Sequence, residues 1–151
     1  MTQIHKKQAS KPLAVPEFVV PTEVGPRDWG EEILLVHAPG KYIGKKLVMK
    51  AGAGGGLQRH HLKDESAFVL SGQYEFTYDP GDGTLVKKIL GPGDCVRIPS
   101  GSTHQGIALT DCVIIEFSTP HFNDRVRVEG EYGLEEGGGL PSTKLDDVET
   151  R

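Results

Sequence analysis

Turn signals cut this chain into apolar runs too short for ordinary helices. Pro39-Gly40, Gly52 with Gly54, Gly55 and Gly56, Ser71-Gly72, Asp79-Pro80-Gly81-Asp82-Gly83 and Pro99-Ser100-Gly101 each mark a place where the backbone must bend. Between them lie runs at 31–38, 42–50, 57–61, 67–70, 74–78, 85–90, 95–98, 104–109 and 112–117. Several alternate or are continuously apolar, and none sustains the 3.6-residue period of a helix. The aspartate-rich turn at 79–83 between two such runs predicts a hairpin. Many short strands at close spacing predict an all-β sandwich or barrel.

The 151 residues suit one domain. Residues 1–16 read as a partly disordered arm, 17–134 as the barrel, and 135–151, with three consecutive glycines and little apolar content, as a flexible acidic tail. A net charge of −4 with no basic cluster argues against nucleic-acid binding. No apolar stretch approaches the roughly 18 residues of a membrane span. The polar first residues give no sign of a secretory leader. Cys95 and Cys112 make no disulfide framework and read as two reduced, packed thiols, so a cytoplasmic protein is expected.

The chemistry-bearing segment is Leu57-Gln58-Arg59-His60-His61-Leu62-Lys63-Asp64-Glu65. In a strand, alternate side chains share a face, so Gln58 and His60 point one way and Arg59 and His61 the other. Glu65 follows far enough on for a turn to return it to the pair. A second segment delivers His104 just after the turn at 99–101. Imidazole, carboxylate and a neutral amide oxygen suit a borderline divalent ion and leave positions open. A competing register uses His61 and leaves only His61, Glu65 and His104, because its face partner Arg59 cannot ligate a cation. The Gln58/His60 register gives the fuller set and is preferred. His5 and His37 read as surface or packed histidines.

Together the two segments resemble the paired motifs of the cupins: Gln58-x-His60-x4-Glu65-x6-Gly72, then Gly93-x5-Pro99-x-Gly101-x2-His104. The first motif usually opens with His. Gln58 in that place is similar to the mannose-6-phosphate isomerase branch of the superfamily. Arg27-Asp28-Trp29-Gly30, Ile115-Glu116-Phe117-Ser118-Thr119 and the run from Asp124 to Gly133 resemble further segments of that branch, so the likeness covers about 27–134. Leu62 and Leu134 depart from its pattern.

The resemblance implies a cupin-type double-stranded β-helix, a jelly-roll barrel. It further implies one divalent metal (Zn, Ni, Mn or Fe) on Gln58, His60, Glu65 and His104, acting as a Lewis acid in a sugar or sugar-phosphate isomerase or epimerase. On the same ground Glu116 and Arg127 become catalytic candidates. Arg127 is suited to clamp a phosphate or carboxylate of a carbohydrate-like ligand, or equally to pair with Glu129. A metal-dependent dioxygenase and a non-catalytic ligand-binding cupin stay open, since one fold hosts many chemistries. Lys63 and Asp64 read as solvated turn residues. Tyr74, Phe76, Tyr78 and Trp29 read as packing residues before sugar-stacking ones. Runs 67–70 and 112–115 are apolar on both faces, so residues 17–24 or a second subunit must cover the outer one, and a homodimer is expected.

Overall fold

Turn chemistry sets the strand limits. The structure, a computed structural model, describes residues 2–4 and 14–150. Residue 1 and residues 5–13 of the expected arm, His5 among them, lie outside the described residues, as does Arg151. The strands are β1 (Thr22–Arg27), β2 (Gly30–Ala38), β3 (Tyr42–Met49), β4 (Gln58–His60), β5 (Glu65–Ser71), β6 (Tyr74–Tyr78), β7 (Val86–Leu90), β8 (Cys95–Ile98), β9 (His104–Ala108), β10 (Cys112–Ser118), β11 (His121–Phe122), β12 (Arg125–Arg127) and β13 (Glu149–Thr150). Two short 3-10 turns, Glu129–Tyr132 and Leu145–Asp147, are the helical elements among the described residues. None is long and apolar enough to cross a membrane.

Pairing follows a nested rule. β6 pairs with β7, β5 with β8, β4 with β9 and β3 with β10, all antiparallel. These are successive rungs of one long ribbon whose tip is the loop after Tyr78. There the Asp79 carboxylate accepts hydrogen bonds from the amides of Gly81, Asp82 and Gly83 and fixes the bend. Winding the ribbon brings β10 beside β5 and β9 beside β6. The result is a six-stranded sheet, β1-β2-β3-β10-β5-β8, and a five-stranded sheet, β12-β4-β9-β6-β7. This is the jelly roll expected from the sequence.

One end of the space between the sheets is apolar. Val69, Ile114, Ala108 and Cys112 are fully buried there, with Met49, Ile98, Leu90, Phe76 and Tyr74 around them. Tyr74, Phe76 and Tyr78 lie along one face of β6, and Trp29 packs against the same cluster. Gly106 is required by this packing, since a Cβ there would sit 1.6 Å from the Tyr74 hydroxyl. Gly72, at φ 86°, makes the turn into β6, and a Cβ would meet the Asp111 carbonyl at 2.2 Å.

Several expectations change. Cys112 is buried, but Cys95 is exposed, because its neighbour Val96 takes the inward side of β8. Lys63 is buried, because its amide is bound to the Asp124 carboxylate and its ammonium turns inward to Glu65. Phe18 and Val20 are exposed (98% and 84%), so 17–21 shields no apolar face. Phe117 and Leu70 on the outside of the six-stranded sheet are about half exposed.

The segment expected as a flexible tail makes definite contacts. Thr143 donates its amide to the Arg125 carbonyl, and the Arg127 amide donates to the Ser142 hydroxyl. β13 pairs with β11. The bonds with Thr143 and Ser142 occupy the free edge of β12, where unpaired backbone groups would otherwise remain.

Candidate metal centre and its cavity

The site grows from three cross-strand pairs. Gln58 lies opposite His104 across β4 and β9, while Arg125 and Arg127 lie opposite His60 and Gln58 across β12 and β4. Directly opposed residues share a face. Gln58, His60, His104, Arg125 and Arg127 therefore belong to one inward surface, and all five line a cavity of about 590 Å³. That is a size suited to a small-molecule ligand. The facing sheet contributes Glu32, Lys45, Glu65 and Glu116, and the segment 138–140 forms part of the wall.

His60, Glu65 and His104 are buried, with one ligand atom from each lying within 4.8 Å of the others. His60 Nδ1 is 3.3 Å from the Asp124 carbonyl oxygen and His104 Nδ1 is 3.0 Å from that of Ser102. A carbonyl oxygen only accepts, so both Nδ1 atoms carry the proton as donors. In the neutral rings this leaves both Nε2 lone pairs aimed at one oxygen of Glu65, at 3.0 and 3.1 Å. Three electron-rich atoms converge, and only a proton or a metal cation relieves that. Burial lowers the His60 pKa despite the opposing pull of Glu65. The donor set fits a divalent cation of the zinc, nickel, manganese or iron type. Backbone carbonyls fixing the ring orientation are the usual support for such ligands.

Gln58 is half-buried on the cavity wall, and its amide makes no hydrogen bond within the described protein. Burial works to raise the Glu65 pKa, but hydrogen bonds from His104 and His60 when those rings are protonated, and Lys63, whose ammonium lies 3.7 Å away, hold it well below the usual carboxylate range. His61 points away from the cavity, and its Nε2 lies 2.7 Å from the Thr143 carbonyl oxygen.

Glu116 stands opposite Ala67, whose small side chain leaves it room, and is a diagonal neighbour of Glu65. It lines the cavity without a hydrogen-bond partner among the described residues. Burial, then the Glu65 charge, push its pKa up to about 7, against Lys63 and Lys45. A carboxyl poised there can take or give a proton near neutral pH.

Arg127 is held by Glu129, its Nε and Nη2 lying 3.2 and 2.6 Å from one carboxylate oxygen, and by Glu136 at 3.4 Å. Its charge is already matched. Beside it, a triad of Arg27, Glu32 and Lys45 spans the wall, with contacts of 2.6 and 2.7 Å to Glu32. Arg125, Lys63 and this triad escape sequence reasoning. β12 is three residues of mixed charge and apolar character, so its period was not readable, though its alternation with Arg127 offered a signal.

The fold and the site together are those of a cupin-type barrel. Residues 46–118 match the Cupin domain family (Cupin_2). Among proteins of known identity, the chain is 36% identical to the acireductone dioxygenase of Bacillus licheniformis over 47 residues, 31% of this chain and 26% of that protein. It is 35% identical over 78 residues to the mannose-1-phosphate guanylyltransferase of Escherichia coli K12, covering 52% of this chain and 15% of that one. The chain thus matches only a minor part of either. Among solved structures, an RmlC-like cupin from Shewanella frigidimarina NCIMB 400 superimposes with a TM-score of 0.54 at 20% identity, over 72% of this chain and 90% of that one.

Proposed function

We propose that the chain holds one divalent cation on His60, Glu65, His104 and the amide oxygen of Gln58, and isomerises or epimerises a sugar or sugar phosphate. One observation carries the reading. Glu116, a carboxyl with its pKa near 7, faces the same cavity as the converging donors of His60, Glu65 and His104. A bound divalent cation would supply Lewis-acid polarisation of a carbonyl or hydroxyl oxygen. Glu116 takes a proton from the carbon beside that carbonyl and returns it to the former carbonyl carbon, while the hydroxyl proton of the first carbon passes to the former carbonyl oxygen. Lys63 favours the ionised form of Glu65, and Leu47, Met49 and Ile114 line the dry side of the cavity. The likeness to a protein named for mannose 1-phosphate supports a sugar-type ligand.

The protein acts as a homodimer in the cytoplasm. A second copy covers Phe117 and Leu70, and the exposed, unpaired Cys95 suits a reducing compartment.

A second reading, metal-dependent dioxygenation, is favoured by the similarity to acireductone dioxygenase. Incubating the metal-loaded protein with aldose and ketose phosphates in D2O separates the two. Deuterium entering the carbon beside the carbonyl, lost in Glu116→Gln at equal metal content, supports the isomerase. Consumption of dissolved oxygen without deuterium exchange supports the dioxygenase. Ligand binding with neither leaves a non-catalytic cupin.

A further inference from the structure

We infer that Arg125 is the recognition site for an oxyanion, a carboxylate or a phosphate, carried by the ligand that enters the barrel. This rests on the reading of the cavity as a ligand pocket and adds the charge of the ligand. β12 brings two arginines to the inward face, and their surroundings differ. Arg127 has Glu129 and Glu136. For Arg125 no carboxylate lies within ion-pair distance among the described residues. Its one side-chain hydrogen bond among the described residues is Nη1 to the Pro141 carbonyl oxygen at a long 3.4 Å. A guanidinium carries five N–H donors in a planar fork, so most of this one's donors are unused.

Glu32, the nearby carboxylate, is already held by two other cations, Arg27 and Lys45. Arg127 is matched to Glu129 and Glu136, whereas Arg125 faces the same cavity with no ion-pair partner among the described residues. Arg125 stands one strand from the metal candidates, directly across the ladder from His60. A ligand reaching both would place a polar end at His60, Glu65 and His104 and an anionic end on the fork. Paired N–H donors of a guanidinium match a carboxylate or phosphate edge.

Calorimetric titration of the full, nickel-loaded chain with inorganic phosphate and, separately, acetate tests this. The tighter of the two identifies the oxyanion. Arg125→Gln is expected to weaken that binding roughly tenfold to hundredfold, the range for losing hydrogen bonds to a charged group. Nickel stoichiometry should not change. Arg125→Lys, which keeps the charge but not the fork, should show a smaller loss, and it carries the test if Arg125→Gln does not fold. Equal affinity in wild type and the variants, or no binding of either anion by wild type, overturns the inference. The isomerase reading fails separately, by absence of deuterium exchange, and phosphate binding through Arg125 would survive that failure.

Discussion

Gln58 and His104 are direct partners across the β4–β9 ladder, and the cavity lies on the face they share. Gln58→His would therefore put a third imidazole beside His60 and His104. Imidazole is a stronger ligand than an amide oxygen for late first-row metals. Chelator competition should show tighter nickel and zinc binding in Gln58→His, on the order of tenfold or more, the scale seen when a site's ligand support changes. Equal affinity would remove Gln58 from the ligand set.

The converging lone pairs give a sharper contrast between neighbouring histidines. Glu65→Ala and His104→Ala each remove one of three donors and should lose most bound metal on dialysis. His61→Ala should keep it, because His61 contacts the Thr143 carbonyl outside the cavity. Elemental analysis of these three variants and of His60→Ala is the measurement. An empty site in His61→Ala with a full one in His60→Ala would reverse the register.

Phe117 and Leu70 lie on the outside of the six-stranded sheet, and residues 17–21 do not cover them. Sedimentation at micromolar concentration should give a homodimer, and Phe117→Lys should shift it toward monomer by placing a charge in the apolar contact. A wild-type monomer at that concentration would leave this face without the proposed cover.

Much of this arrangement was legible because turns are written in residue types. Pro39-Gly40, Ser71-Gly72 and Pro99-Ser100-Gly101 end strands in the structure where the sequence ends its runs. In the structure His60 lines the cavity and His61 contacts Thr143 instead. Lys63 was not legible, because its burial depends on Asp124, distant in sequence, binding its amide. Nor was β1, whose Gly25-Pro26 sits at an irregularity in the β1–β2 pairing. The contacts of 138–143 depend on the open edge of β12, and no local pattern in a glycine-rich segment encodes such an edge. The resemblance singled out Arg127 and not Arg125, and their different acidic neighbours emerge only in the fold.

Glu116 makes a prediction in which stability and chemistry separate. Its carboxyl is held near 7, above the ordinary value of 4.5, chiefly by burial and then by Glu65. A raised pKa means the folded state keeps a proton that the unfolded chain releases. Folding stability from this group therefore falls as pH rises from about 4.5 to 7 and levels off above that. In metal-free protein the full cost is up to about 3 kcal/mol, from the size of the shift. Glu116→Gln cannot ionise and escapes it. Urea unfolding of chelator-treated protein should show the variant gaining on wild type across that window, with the difference constant above about pH 8. Bound nickel should shrink the gain, since a nearby cation favours ionised Glu116 in wild type. Deuterium exchange into a sugar phosphate should vanish in the same variant while nickel binding persists. A variant that gains stability with rising pH yet keeps full exchange would leave Glu116 a buried acid without a part in the proton transfer. One that shows no pH-dependent gain would mean the carboxyl is already ionised in the fold.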